Sequence, residues 1–205
     1  MEGHGSSPTA VGRSPGQVPT ARPDRIQPSL DGPRILPGEF RISSEGLQIQ
    51  TLVGSCIAAC IRDPVHGCGG MNHFLLPDGL QQSKADAGRY GLFAMELLIN
   101  GLLGLGADRR RLEAKIAGGG RIHPRGRDIG QTNIDFVRSF LQREGIRLLS
   151  EDVGGTTARR VVYATRTGQM WVRRLDPEST REVRTLETAR SRQSSGSSEP
   201  SVELF

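Results

Sequence analysis

Apolar and polar residues alternate over residues 46–53 (Gly-Leu-Gln-Ile-Gln-Thr-Leu-Val) and, more weakly, over residues 38–42. A period of two predicts strands, and Ser43-Ser-Glu-Gly between the two runs predicts that they form a hairpin. Residues 56–62 are a denser apolar run closed by Asp63-Pro64, a turn signal. A further run over residues 69–76 is stopped by Pro77-Asp-Gly. These two runs are expected to pair antiparallel around the Asp-Pro-Val-His turn. The period then changes. Tyr90, Phe93, Ala94, Leu97, Leu98 and Leu102 recur at helical spacing and predict a helix over residues 85–105, ended by Gly104 and Gly106.

Residues 112–117 predict a short strand, followed by Gly118-Gly-Gly120 and a polar Arg- and Gly-rich loop over 121–130. A second helix is expected over residues 133–144, with Ile134, Val137, Phe140 and Leu141 inward and Gly145 as its stop. Residues 146–149 read as a strand and 151–156 as a loop. Residues 160–163 and 170–173 read as a closing hairpin over Thr165-Arg-Thr-Gly168. Strands, helix, strand, helix, strands imply one α/β domain, a mixed or antiparallel sheet with two main helices layered against it.

Composition trims this domain at both ends. Residues 1–34 are rich in Gly, Pro, Ser, Thr and Arg, and residues 177–205 are charged and then Ser-rich. Both are expected to be disordered, a leader and a tail, because they carry too little apolar surface to offset the entropy of ordering. The domain is therefore placed at residues 35–176.

The formal charge is +5, mostly from arginine in clusters such as Arg109–Arg111, Arg121/Arg125/Arg127 and Arg173/Arg174. Aromatic residues are too few for a base-stacking platform, so no specific nucleic acid is expected. Three cysteines, an odd number, argue against a disulfide framework. No stretch reads as a signal peptide or a membrane span. The expected setting is the cytoplasm, with thiols reduced and no membrane insertion.

Candidate chemistry gathers around Gly54-Ser-Cys56 and His73. A nucleophilic cysteine needs a base, and it needs N–H donors for the developing oxyanion. Gly54 and Ser55 allow a sharp backbone turn that exposes amide N–H groups beside the sulfur. Antiparallel pairing brings Cys56 opposite a residue close to His73, provided the register keeps both on one face. Each also has a plainer reading, as a buried core cysteine and a satisfied core histidine. Cys60, amid Ala and Ile, fits the first; Cys68 sits in a Gly-rich turn. Cys56, Cys60, Cys68 and His73 could supply soft ligands to zinc, but they lack the Cys-x-x-Cys pairing of such sites. Gly118–Gly120 lacks the residues of a phosphate-binding loop and is better read as a close backbone approach near the cleft. His123 could contact substrate from its loop, but is better read as a solvated loop residue.

Gly54-Ser-Cys56, Asp63-Pro64 and Gly69-Gly-Met-Asn-His73-Phe-Leu-Leu-Pro77 together resemble the chemoreceptor glutamine deamidase family, CheD. Arg89-Tyr-Gly, Ala94-Met-Glu-Leu-Leu-Ile-Asn100, Lys115-Ile-Ala-Gly-Gly, Ile129-Gly-Gln-Thr-Asn133, Glu151-Asp-Val-Gly-Gly-Thr156 and residues 168–175 extend the resemblance over about residues 38–175. The resemblance implies a layered sandwich similar to toxin-type deamidase domains. It also implies hydrolysis of selected receptor glutamine amides to glutamate and ammonia through a Cys thioester. It assigns Cys56 as nucleophile and His73 as general base, with Thr51 the natural third position and Gln50 beside it as the other. The backbone at Gly54 and Ser55 then serves the oxyanion. No cofactor or metal is called for. The partners implied are the cytoplasmic regions of methyl-accepting chemotaxis receptors. The alternative is a regulatory module that binds a CheC-like phosphatase with little catalysis of its own.

Overall fold

The structure is a computed structural model, and it describes residues 1, 28–76, 84–123 and 126–194. Among the described residues, two sheets and three main helices make up an α/β fold. The strands are β1 (Phe40–Ser43), β2 (Gln48–Val53), β3 (Ile57–Asp63), β4 (Cys68–Phe74), β5 (Glu113–Gly118), β6 (Arg147–Val153), β7 (Arg159–Ala164) and β8 (Met170–Arg174). The helices are α1 (Lys84–Gly104), α2 (Ile129–Arg143) and α3 (Pro177–Ser194).

A five-stranded mixed sheet runs in the order β1-β4-β3-β5-β6, with β5 and β6 parallel. A three-stranded antiparallel sheet runs β2-β7-β8. Strand β3 is covered on both faces, which is why its sequence is nearly continuous apolar residues rather than alternating ones. Ile57, Ala59 and Ile61 face α1 and α2 in one core, with Phe74, Met95, Leu98, Ile99, Val137 and Phe140. Cys56, Ala58 and Cys60 face the smaller sheet in the other core, with Ile49, Val53, Val161 and Tyr163. Each fully buried Leu, Ile or Met contributes about 1.5–3 kcal/mol relative to exposure. The site lies where the second core meets the end of the sheet.

The β3–β4 and β7–β8 hairpins form as the sequence implies. The expected first hairpin does not. Strand β1 pairs with β4, whereas β2 crosses to the other sheet and pairs with β7. Buried Ile49, Thr51 and Val53 explain the crossing, because they face the inter-sheet core that only the second sheet can close. The single expected sheet is thus two.

The apolar face of α1 is rotated from the expected stripe. Met95, Leu98, Ile99 and Leu102 are buried, while Tyr90 and Phe93 are exposed. Helix α2 begins four residues early, at Ile129, capped by Asp128, whose side chain accepts from Gln131 N–H. Glu151 and Asp152 belong to β6 rather than to a loop.

At the ends of the chain, Ile35 is buried and its N–H donates to Gln50 C=O. The structure places a helix at Pro177–Ser194, where a disordered tail was expected, and its Thr180, Val183 and Glu187 are buried. Of the expected leader, residues 28–34 are described, with Pro33 C=O accepting from Gln50 N–H; residues 2–27 and 195–205, and the Pro77 stop, fall outside the described residues.

Candidate active site

Three segments meet at the site: the inward face of β2, the bend between β2 and β3, and the end of β4. Register puts His73 opposite Ala58, two residues from Cys56 along β3. Because side chains alternate, His73 shares Cys56's face, and its neighbour Asn72 turns the other way to donate to Ala94 C=O on α1. Cys56 Sγ, a ring nitrogen of His73 and a carboxylate oxygen of Glu187 lie within 4.8 Å of one another, all buried.

Thr51 joins the two sheets. Its Oγ1 donates to Ile35 C=O at 2.8 Å and lies 2.8 Å from His73 Nδ1. A hydroxyl has one proton, and the carbonyl takes it, so Thr51 accepts from Nδ1–H. The neutral ring then carries its lone pair on Nε2. Gln50 points to the opposite face, where its amide donates to Leu30 and Gly32 carbonyls. Of the two candidates for the third position, only Thr51 touches His73.

The bend is built by glycines. Gly120 N–H donates to Gly54 C=O at 2.7 Å, and Gly119 N–H donates to Cys56 C=O at 2.8 Å. A Cβ on Gly118, whose φ is +120°, would lie 2.1 Å from Cys56 O. The glycine run is thus the close backbone approach that its sequence suggested. Asn133 on α2 holds the middle peptide, its Nδ2 donating to Ser55 C=O while its Oδ1 accepts from Leu76 N–H. With their carbonyls so held, the N–H groups of Gly54, Ser55 and Cys56 converge on one point.

That point is occupied by the Glu187 carboxylate. Gly54 N–H donates to Oε1 at 2.9 Å and Cys56 N–H to Oε1 at 3.4 Å. Ser55 donates to Oε2 from N–H at 3.1 Å and from Oγ at 2.6 Å. A cradle of backbone donors that holds a carboxylate oxygen is equally suited to an oxyanion.

The structure brings together Thr51, Gly54, Ser55, Cys56 and His73. Cys60 stands apart at mid-strand, 4.0 Å from Met170 Sδ, and burial pushes its thiol far above the usual range. Burial also raises the Cys68 thiol. Neither joins Cys56 in the zinc set weighed from the sequence, and no two cysteines form a disulfide. Cys56, His73 and Glu187 could offer three ligands to a metal, but the N–H and O–H donors already claim both carboxylate oxygens. His123 lines a separate small cavity with Ser55 and Arg127.

Sequence reasoning missed Asn133 and Glu187. Asn133 was legible only as a helix start. Glu187 had a signal: Asp176-Pro177-Glu178 is a helix N-terminus, and Asp176 accepts from Glu178 and Ser179 N–H groups.

Residues 75–174 match the family described as CheD chemotactic sensory transduction. A probable chemoreceptor glutamine deamidase CheD of Hydrogenovibrio crunogenus is 47% identical over 147 residues, 70% of this chain and 77% of that protein. A protein of the same name from Cupriavidus metallidurans is 43% identical over 183 residues, 84% of this chain and 83% of that protein. One from Sinorhizobium medicae is 50% identical over 138 residues, 66% of this chain and 75% of that protein. Identity at this level over most of the relatives' length carries one conclusion: the chain belongs to the CheD family.

Proposed function

We propose that this chain is a protein-glutamine deamidase that hydrolyses selected glutamine side-chain amides of chemotaxis receptors to glutamate and ammonia. The observation that carries the reading is the buried Thr51–His73–Cys56 cluster beside three convergent backbone N–H groups. The relatives' names supply the substrate, a chemoreceptor glutamine. The proposal includes a likeness to toxin-type deamidase domains, which the layering of sheets and helices supports.

In this mechanism His73 Nε2 takes the thiol proton of Cys56, and the thiolate attacks the amide carbon. The amide oxygen becomes an oxyanion held by the N–H groups of Gly54, Ser55 and Cys56. The imidazolium returns its proton to the leaving nitrogen, which departs as ammonia. Water, deprotonated by neutral His73, cleaves the thioester and releases glutamate with the thiol restored. Thr51 is a positioning residue: it fixes the tautomer that leaves Nε2 as the base.

The test is incubation with cytoplasmic receptor fragments, following glutamine-to-glutamate conversion by mass spectrometry and ammonia by coupled assay. Conversion that Cys56→Ala abolishes is expected. Conversion that survives Cys56→Ala, or its absence from every fragment with a protein whose site is open, overturns the reading.

A further inference from the structure

Helix α3 places a glutamate side chain inside the site, and glutamate is the group that the proposed reaction leaves behind. We propose that α3 is a built-in product mimic that closes the resting enzyme, with Glu187 held in the position of a freshly formed glutamate. This inference rests on the proposed deamidase function and adds its regulation.

The contacts suit a carboxylate. Both Glu187 oxygens accept, one from Gly54 and Cys56 N–H and the other from Ser55 N–H and Oγ. The residue is 5% exposed although it comes from a strongly polar helix. Its delivery is also built. Thr180, Val183 and Glu187 lie on one face at helical spacing. Val183 packs with Ile122, Ala158 and Leu52, and Thr180 Oγ1 accepts from Ala158 N–H. Asp176 caps the helix start, which fixes its direction. A cavity of about 120 Å3 remains between Leu36 and Leu186 and reaches His73, so α3 covers the approach to the base as well as to the cradle. A substrate glutamine needs the same N–H groups, and α3 must leave before it can bind.

Glu187→Gln turns the product mimic into a substrate in cis. Cys56 Sγ bonds to the carboxamide carbon that the substitution introduces, the C–N bond breaks, and ammonia leaves with a proton from His73. Solvent water then splits the thioester and restores Glu187. Purified Glu187→Gln protein is therefore expected to regain the wild-type mass with time, while Cys56→Ala/Glu187→Gln keeps its amide. An amide that persists at position 187 in folded Glu187→Gln protein overturns the product-mimic position.

Closure is read separately by alkylation of folded full-length protein with iodoacetamide, mapped by peptide mass. Loss of charge-assisted hydrogen bonds is worth about tenfold or more in opening. Cys56 in Glu187→Ala should react at least about tenfold faster than in wild type, with Cys60 and Cys68 as slow internal references. Equal Cys56 rates overturn the proposal. So does a joint rise of all three cysteines in Glu187→Ala and in Glu187→Gln, which makes Glu187 a structural residue. Neither readout needs a receptor. Failure of the receptor assay alone, with the introduced amide converted and Cys56 unmasked, therefore counts against the receptor as substrate and not against closure.

Discussion

The two ends of β3 use the same device for opposite purposes. At the far end, the buried Asp63 carboxylate accepts from the N–H groups of Val65, His66 and Asp108 and from the Arg111 guanidinium. At the near end, the buried Glu187 carboxylate accepts from the N–H groups of Gly54, Ser55 and Cys56. In both places a strand has run out of ladder partners and an anion gathers the leftover donors. The difference is where the anion comes from. Asp63 belongs to the strand it closes, so its turn cannot open without unfolding. Glu187 lies 131 residues beyond Cys56, on the separate helix α3. A local anion makes a clamp, and a remote one, in the proposed regulation, makes a stopper beside Cys56.

The largest effect is expected at Cys56. Cys56→Ala and Cys56→Ser should reduce receptor deamidation to background, a loss that can reach roughly a millionfold for a covalent nucleophile, with unchanged circular dichroism. Wild-type turnover by either variant would leave the near end as packing, like the far one. His73→Gln should lower turnover by roughly a hundred to ten thousandfold, the usual worth of a general base, while fragment binding measured on the same protein is kept.

At the far end the expected loss is of stability instead. Asp63→Asn keeps the shape but removes the charge that Arg111 holds, and should cost about 2 kcal/mol by denaturant titration, with turnover preserved below the unfolding transition. Arg111 hydrogen bonding, against the opposing cost of burial, holds the Asp63 carboxyl far below the usual carboxylate range. Such a depressed group stabilises the fold above its unfolded pKa of about 3.9. That contribution is lost as pH falls through the folded value. Wild type should therefore hold this advantage over Asp63→Asn at neutral pH and lose it progressively in acid. A difference that is flat with pH would show that Asp63 acts by shape alone.

Thr51→Val should cost roughly tenfold in turnover, one buried hydrogen bond, with a shifted pH–rate profile and rescue by Thr51→Ser. A loss without a pH shift would make Thr51 only a packing residue. Cys60→Ala should be nearly silent in turnover, although Cys60 lies in the same inter-sheet core as Cys56.

What could be read from the sequence divides along the same line. The Asp63-Pro64 turn, the β3–β4 pair and the shared face of Cys56 and His73 were legible because residues within about twenty positions determine them. The crossing of β2 to the second sheet was not, since the partner β7 lies more than a hundred residues away and alternation alone names no partner. The glycine run was legible as a close approach, while the carbonyls it approaches, those of Gly54 and Cys56, were not. Helix α3 was hidden by composition. Its buried stripe is Thr180, Val183 and Glu187, one aliphatic residue in three, too polar to stand out from the charged segment around it. Its cap, Asp176-Pro177, was in plain view.

The most direct measurement is site-resolved mass spectrometry of a chemoreceptor cytoplasmic fragment incubated with wild type, Glu187→Ala and Cys56→Ala/Glu187→Ala. Glutamine-to-glutamate conversion is expected with wild type, faster conversion at the same sites with Glu187→Ala, and none above background once Cys56 is also removed. Conversion by the double variant at the rate of Glu187→Ala would contradict a cysteine deamidase at this site.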